Sequence, residues 1–372
     1  MPSRILFVLL SIGIAGALGG SAFASSIRVA VVEGVEVLEV SGSPMRASDQ
    51  AGRRVVTLYR SPVKIVARGS DLEVGGKRFP VPVVRLEPSG SSAMGIGGRE
   101  YKGRFEVWRQ GSALILVNDL PLEEYLVGAL RGEVPEKWPI EMLKDQAIVA
   151  RTYAAYHHQL NAEKPYHLSA TTAHQLYWGR TEPGGPHRRA VEATHGVVLM
   201  WGGQLFPAFY HSESGGHTEE PQAVFSGWLP TLPGVRDEFS GDGPHSKWSL
   251  DLGLRTIRDL LKRNGLAVGS ITGMEVVERS PSLRVQRLAI YHSGGQTLMK
   301  GADFRRMIGY ETLKSTLFAV AVNGDSARFE GRGYGHGVGF SQWGAKEMAE
   351  RGYTARQILG YYYSGTELDA MR

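Results

Sequence analysis

Residues 119–156, DLPLEEYLVGALRGEVPEKWPIEMLKDQAIVARTYAAY, decide how the rest of the chain is read. Asp119 and Pro121 form a helix-start signal, and Leu122, Tyr125, Leu126 and Ala129 recur at helical spacing. Gly132 predicts the end of that helix, and Pro135 forbids its immediate resumption. Glu133 is then expected in a rigid turn between the two. Pro139 opens a second, longer helix at a position where its missing N–H costs nothing. There Met142, Leu143, Ala147, Val149, Ala150, Tyr153 and Ala154 fill an apolar arc, so more than one neighbour must pack on the helix. Glu141, Lys144, Asp145, Arg151 and Thr152 share the other arc, where Glu141 and Asp145 are expected in solvent. Gln146 alone breaks the apolar arc. A buried amide costs about 1–3 kcal/mol per unmet group. Gln146 therefore either holds the Glu133 turn from within the core or faces a cleft and binds substrate.

Upstream, residues 27–117 read as short strands rich in Val, Ile and aromatic residues, separated by turn residues. Nothing in them has the residue types of a catalytic site. Downstream, residues 167–179 predict a strand or turn and residues 188–195 a helix. Residues 196–216, GVVLMWGGQLFPAFYHSESGG, predict a hairpin turning at Gly202-Gly203. Further helices are expected at 255–264, 302–308, 342–351 and 354–363, with strands at 283–292 and 317–322. Strands and helices alternate without a regular βαβ period, which predicts an α+β fold. A β-rich N-terminal lobe (residues 25–117) would precede a mixed α+β catalytic region (residues 118–372) containing the buried long helix.

With 372 residues, 42% of them hydrophobic, the chain can bury one large core or two smaller ones. A net charge of +5 suits an anionic partner such as cell wall, nucleic acid or membrane surface, but the basic residues form no block that would choose among them. The absence of cysteine excludes disulfides, thiolate metal sites and a cysteine nucleophile. At the N-terminus, Arg4, the apolar run of residues 5–18 and Ala22-Phe23-Ala24 have the anatomy of a secretory signal peptide cut after Ala24. The mature protein is expected to start at Ser25 and to be exported. No later stretch is long and apolar enough for a membrane helix.

Three stretches hold polar residues that packing alone does not require. If Glu133 points at the amino end of the following helix, the macrodipole holds it ionised. If Val134 and Trp138 wall it in, its pKa rises from about 4.3 and it becomes a general acid. In residues 210–217, YHSESGGH, Ser, His and Glu are adjacent, but neighbours in a strand face opposite sides, which argues against a triad. A metal site built from His174, His211 and His217 has no supporting motif; a hydroxyl-lined, ligand-binding turn fits better. Residues 331–345, GRGYGHGVGFSQWGA, match no phosphate-binding pattern. They form either a structural turn or a ligand-facing loop offering the His336 imidazole, the Gln342 amide and an aromatic face, a toolkit suited to sugars.

The segments GEVPEKWPIEMLKDQAIVARTYA, AFYHSESGGHTEE, FRRMIGYETLKSTLF and GRGYGHGVGFSQWGAKEMAERGYTARQILGYYYSGTEL resemble, in order, parts of the stage II sporulation protein D family, which includes amidase-enhancer proteins. The resemblance covers residues 100–369 approximately. It implies a lytic transglycosylase acting on peptidoglycan glycan strands, with Glu133 as the catalytic residue. It also implies that the hydroxyl-rich and glycine-rich stretches lie near the glycan groove. The expected substrate contacts are Gln146, Arg151, Tyr210, Ser212, Ser214, His336 and Gln342. Ordinary glycosidases need two carboxylates. A lytic enzyme needs one, because the sugar's C6 hydroxyl closes on the anomeric carbon to leave a 1,6-anhydro end. Some family members hold zinc through cysteines; this chain has none, so no metal and no cofactor are expected. The expected partners are glycan strands and a cell-wall amidase, not nucleic acid. The alternative reading is a non-catalytic glycan-binding activator of that amidase; a serine hydrolase of wall peptides is a more distant one.

Overall fold

The computed structural model describes residues 26–371 except 43, 91–92, 182, 226–229 and 231; the signal segment and the cut after Ala24 lie outside the described residues. Alternating burial along the N-terminal strands builds two sheets over one core. The larger runs in the order Leu168–Ser169, Ser26–Val35, Ala113–Pro121, Arg104–Gln110, Val83–Pro88, Met45–Asp49, Val55–Leu58. The smaller contains Val37–Val40, Val63–Arg68, Asp71–Val74 and Lys77–Phe79. The chain leaves the long strand Ala113–Pro121 straight into helix α1 (Leu122–Glu133), because Pro121 ends the strand pairing and serves as the N-cap. Helix α2 (Ile140–Leu160) follows behind Pro139. The remaining helices are α3 (Pro186–Ala193), α4 (Pro221–Val224), α5 (Leu254–Arg263), α6 (Gly301–Ile308), α7 (Gln342–Glu350) and α8 (Ala355–Tyr362). The fold is α+β with a β-rich N-terminal region, as expected.

Sheet residues such as Val29, Leu114 and Leu116 share one continuous core with α1, α2, α7 and α8, so apolar packing runs unbroken past residue 117. A second core lies within residues 248–331, where two three-stranded sheets enclose α5 and α6 around Ile257, Leu261, Leu288, Phe304 and Phe329. Four of that unit's strands escape sequence reading: Trp248–Gly253, Ile271–Arg279, Gly295–Lys300 and Ser326–Gly331. Bulges interrupt Ile271–Arg279, whereas Trp248, Leu250 and Leu252, and likewise Ala327 and Phe329, alternate with more exposed residues and offered a readable two-residue period. The hairpin expected at Gly202-Gly203 is reduced to a single bridge between Trp201 and Gln204. Its flanks pair elsewhere, Val197–Met200 with Glu367–Ala370 and Tyr210–His211 with Phe340–Ser341. Among the described residues no helix is long and apolar enough to cross a membrane.

The solvated arc expected on α2 survives only at Glu141 and Lys144, which are partly exposed and paired at 2.6 Å. Asp145, Arg151 and Thr152 are fully buried, because α1, α3 and strand Val197–Met200 cover one flank while α7 and α8 cover another. Each solves burial differently. Thr152 donates to the Ile148 carbonyl at 2.7 Å and accepts the Leu199 N–H at 2.9 Å. Arg151 grips Glu123 through two N–H groups at 2.7 and 2.8 Å and donates to the Val197 carbonyl at 3.0 Å.

Among the described residues Asp145 has no hydrogen-bond partner on either carboxylate oxygen, and burial pushes its pKa well above the ordinary carboxylate range. The folded chain therefore holds it protonated, while the unfolded chain ionises it near pH 3.9. That preference stabilises the fold fully below the ordinary value and is lost as pH rises through the raised one. Asp145→Asn keeps the shape without the charge. It should raise thermal stability at pH 7 to 8 and flatten its fall with pH. Melting curves across pH check this, and an unchanged profile would mean that Asp145 meets a partner when ionised.

Candidate active site

Helix α1 runs through Gly132 and ends on Glu133, with Val134 as the extended C-cap, so Gly132 is not a stop signal and Glu133 is not a turn residue. A Cβ on Gly132 would lie 2.9 Å from the Leu176 side chain and 3.0 Å from its carbonyl oxygen. The glycine lets the segment after α2 lie directly against the helix. That close approach delivers the Leu176 N–H to Glu133 Oε1 at 2.7 Å. Glu133 does not cap α2, whose N-cap Pro139 receives no side-chain hydrogen bond. It sits instead at the negative end of its own helix dipole, which disfavours its charge.

Glu133 is half-buried as a residue, but its carboxyl is enclosed. Burial pushes its pKa up to about 7, opposed by the Leu176 N–H, the Tyr210 hydroxyl and the Gln342 amide. Tyrosines surround it: its charge raises the pKa of Tyr125, Tyr153 and Tyr210, each held up first by burial, so all three hydroxyls stay protonated. The Tyr125 hydroxyl donates to Gln175 Oε1 at 3.0 Å. Gln342 Nε2 donates to Gln146 Oε1 at 3.2 Å, joining the start of α7 to the middle of α2. Among the described residues the Tyr210 hydroxyl and Gln146 Nε2 are buried without a well-formed hydrogen bond. Donors this loosely engaged beside a protonatable carboxyl are what an incoming oxygen-rich ligand would satisfy.

Four expected site residues converge here: Glu133, Gln146, Tyr210 and Gln342. The parallel pairing of Tyr210–His211 with Phe340–Ser341 brings Tyr210 and Gln342 together, and the Trp343 N–H donates to the Ser212 carbonyl at 3.0 Å. Trp138 and Trp343 meet edge to face, 5.2 Å apart, beside the site's helices. Ser212 remains partly exposed. Arg151 does not join the site, since its guanidinium is buried in the Glu123 pair on another flank of α2. The Ser214 hydroxyl is buried and engaged away from Glu133, donating to Asp237 at 2.7 Å and meeting Ser240 at 2.8 Å. His336 accepts the Val338 N–H at 3.0 Å and packs on Phe209 and Phe225. Burial, with Arg305 and Arg284 nearby, pushes its pKa down to about 3, so it is neutral.

His174, His211 and His217 bond separately to Ser169, Val338 and Thr218, and no metal-binding group of three side chains occurs among the described residues. A second carboxyl, Glu213, is also raised to about 7 by burial and by Asp237, but neither acts on Glu133. Tyr125, Tyr153 and Gln175 escaped sequence reading. Tyr153 lay on the apolar arc as a core residue, whereas the polar Gln175 before Leu176-Tyr177 was a usable signal.

Gly132→Ala tests how the site is held. The added methyl group should push Leu176 away, lower stability by about 1–3 kcal/mol, and weaken the N–H that opposes the carboxyl's high pKa. The alkaline limb of any Glu133-dependent activity should then move to higher pH. A stability loss with the limb unmoved would uncouple Leu176 from the carboxyl.

A family model described as stage II sporulation protein matches residues 110–201, and one described as a domain of unknown function matches residues 239–339. The second match covers the unit with its own core. The chain is 33% identical over 270 residues to stage II sporulation protein D of Bacillus subtilis, covering 68% of this chain and 75% of that protein. It is 28% identical over 274 residues to an uncharacterized protein of Brachyspira hyodysenteriae, covering 73% of each. It is 29% identical over 338 residues to the amidase enhancer of Bacillus subtilis, covering 77% of this chain but 46% of that protein.

Proposed function

The chain belongs to the stage II sporulation protein D family, and from that premise we propose that it is an exported peptidoglycan lytic transglycosylase with Glu133 as its sole acid and base. The supporting observation is the Glu133 carboxyl itself. It is desolvated to a pKa of about 7, holds one N–H donor, and is ringed by tyrosines rather than by a second carboxylate. A group with that pKa is half protonated near neutral pH, where a general acid works best.

In this reading protonated Glu133 gives its proton to the glycosidic oxygen as the bond from that oxygen to the anomeric carbon breaks. The C6 hydroxyl of the same muramic sugar then bonds to the anomeric carbon, and its proton passes to the Glu133 carboxylate. The acid is regenerated and no water is consumed. Tyr210, Gln146 and Gln342 orient the sugar through donors that are loosely engaged. Ser212 and His336 flank them as further contacts. Mass spectrometry of purified glycan strands after incubation tests the reading: anhydro-ended fragments support it, and intact strands overturn it.

Similarity to a protein named amidase enhancer favours a second reading, in which the same groove binds glycan and stimulates a cell-wall amidase without cutting. Intact strands together with faster peptide release by an added amidase would select it.

A further inference from the structure

The unit with its own core carries a cavity of about 720 Å³ on the face where it meets the glycine-rich segment. Its lining includes Lys247, Arg279, Arg332, Trp248 and Leu283. Three cations face one acid, Glu330, and that acid is already paired with Arg328 at 3.0 Å. Lys247 and Arg332 pair with no carboxylate among the described residues. Arg279 is fixed rather than neutralised, donating to the carbonyls of Leu283 at 2.7 Å and Phe318 at 2.9 Å. Trp248 is held in place by an Nε1–H bond to the Gly333 carbonyl at 3.0 Å.

Leu283 is the odd residue. It has φ of 65°, a left-handed backbone where glycine or asparagine would be relaxed, and it is 56% exposed. The turn it occupies aims Arg284 inward, where its guanidinium donates to the carbonyls of His217 and Ser214 at 2.8 and 2.7 Å. The leucine side chain is not part of the unit's core. It stands at the cavity rim, an apolar contact held at the expense of backbone strain.

We propose that this cavity is a second, non-catalytic site that binds a carboxylate-bearing segment of a wall glycan strand. The proposal rests on the wall-glycan reading above. The indole and the leucine meet the apolar faces of sugar rings, and the cations meet the carboxylates. Those carboxylates have two sources on one polymer: the lactyl group of muramic acid on a bare strand, or the stem peptide where one is attached.

The test uses the full chain carrying Glu133→Gln, so that strands are bound without being cut, with and without Lys247→Glu and Arg332→Glu. Bare strands, peptide-bearing strands and neutral chitin oligosaccharides are titrated at low and high salt. Charge reversal should weaken strand binding by about tenfold at low salt and reduce its salt dependence. The melting temperature should not change, because both side chains are exposed. Chitin oligosaccharides should bind more weakly and ignore the reversal. An effect on bare strands assigns the lactyl carboxylate, and an effect confined to peptide-bearing strands assigns the peptide. Leu283→Gly should weaken binding while leaving the fold as stable or more so. Strand binding that ignores both the charge reversal and the salt overturns the second site, even where the unsubstituted chain makes anhydro ends. A chain that cuts strands would then keep the catalytic reading alone; one that neither binds nor cuts them overturns both.

Discussion

Glu133→Gln should lower the formation of 1,6-anhydro ends by at least about 10²–10⁴-fold, the range typical of general acid–base catalysis, while glycan binding persists. Glutamine keeps a carbonyl oxygen for the Leu176 N–H, so the local structure survives. It can neither donate a carboxylic proton nor accept one. The loss therefore belongs to the transition state and appears in kcat more than in KM. Activity of the unsubstituted protein should hold at mildly acidic pH and fall as pH rises through about 7, where the acid ionises. That limb should be absent from any residual activity of the variant. Stability should move the other way. The folded pKa lies above the ordinary value, so stability tied to protonated Glu133 is lost as pH rises toward about 7. Glu133→Gln escapes that loss and should melt higher than the unsubstituted protein at pH 8, with little difference at pH 4. Turnover near the original rate would move the catalytic role elsewhere.

Arg151→Met should cost about 3–5 kcal/mol, the scale for removing one partner of a buried ion pair. The Arg151 side chain is fully buried, and its loss strands both Glu123 and the carbonyls of Val191 and Val197. Because Glu123 keeps partial access to water, the lower end of that range is the expected one. Arg151→Lys should recover only part of the loss, since an ammonium cannot reproduce the planar fork. Denaturant unfolding reads the stability, and kcat per folded molecule should be unchanged. A small stability change with a large fall in glycan affinity would instead make Arg151 a ligand contact.

Much of the local architecture is legible in residue order. Proline places the entries of α1 and α2, the apolar period identifies both helices, and α5 through α8 lie within a few residues of where they are expected. The β-rich start and the α+β class follow from Val, Ile and aromatic runs between turn residues. Glu133 stands out because Gly132 and Pro135 flank it, although Gly132 serves contact with Leu176 rather than chain reversal. Sequence cannot separate those two uses of glycine, because both need only the absence of a Cβ.

The sequence by itself determined where most helices begin, that the chain is α+β, and which glutamate to examine. Only the tertiary structure decided which residues see water. Periodicity reports one apolar face, and α2 is covered on more than one, so Asp145, Arg151 and Thr152 are buried against their polar character. Tertiary structure also decided the chemistry of Glu133. Its raised pKa comes from the burial of its carboxyl, tempered by Leu176, Tyr210 and Gln342, groups far away in the chain. Desolvation depends on every neighbour in space, and those neighbours are chosen by the packing of distant elements rather than by local residue order.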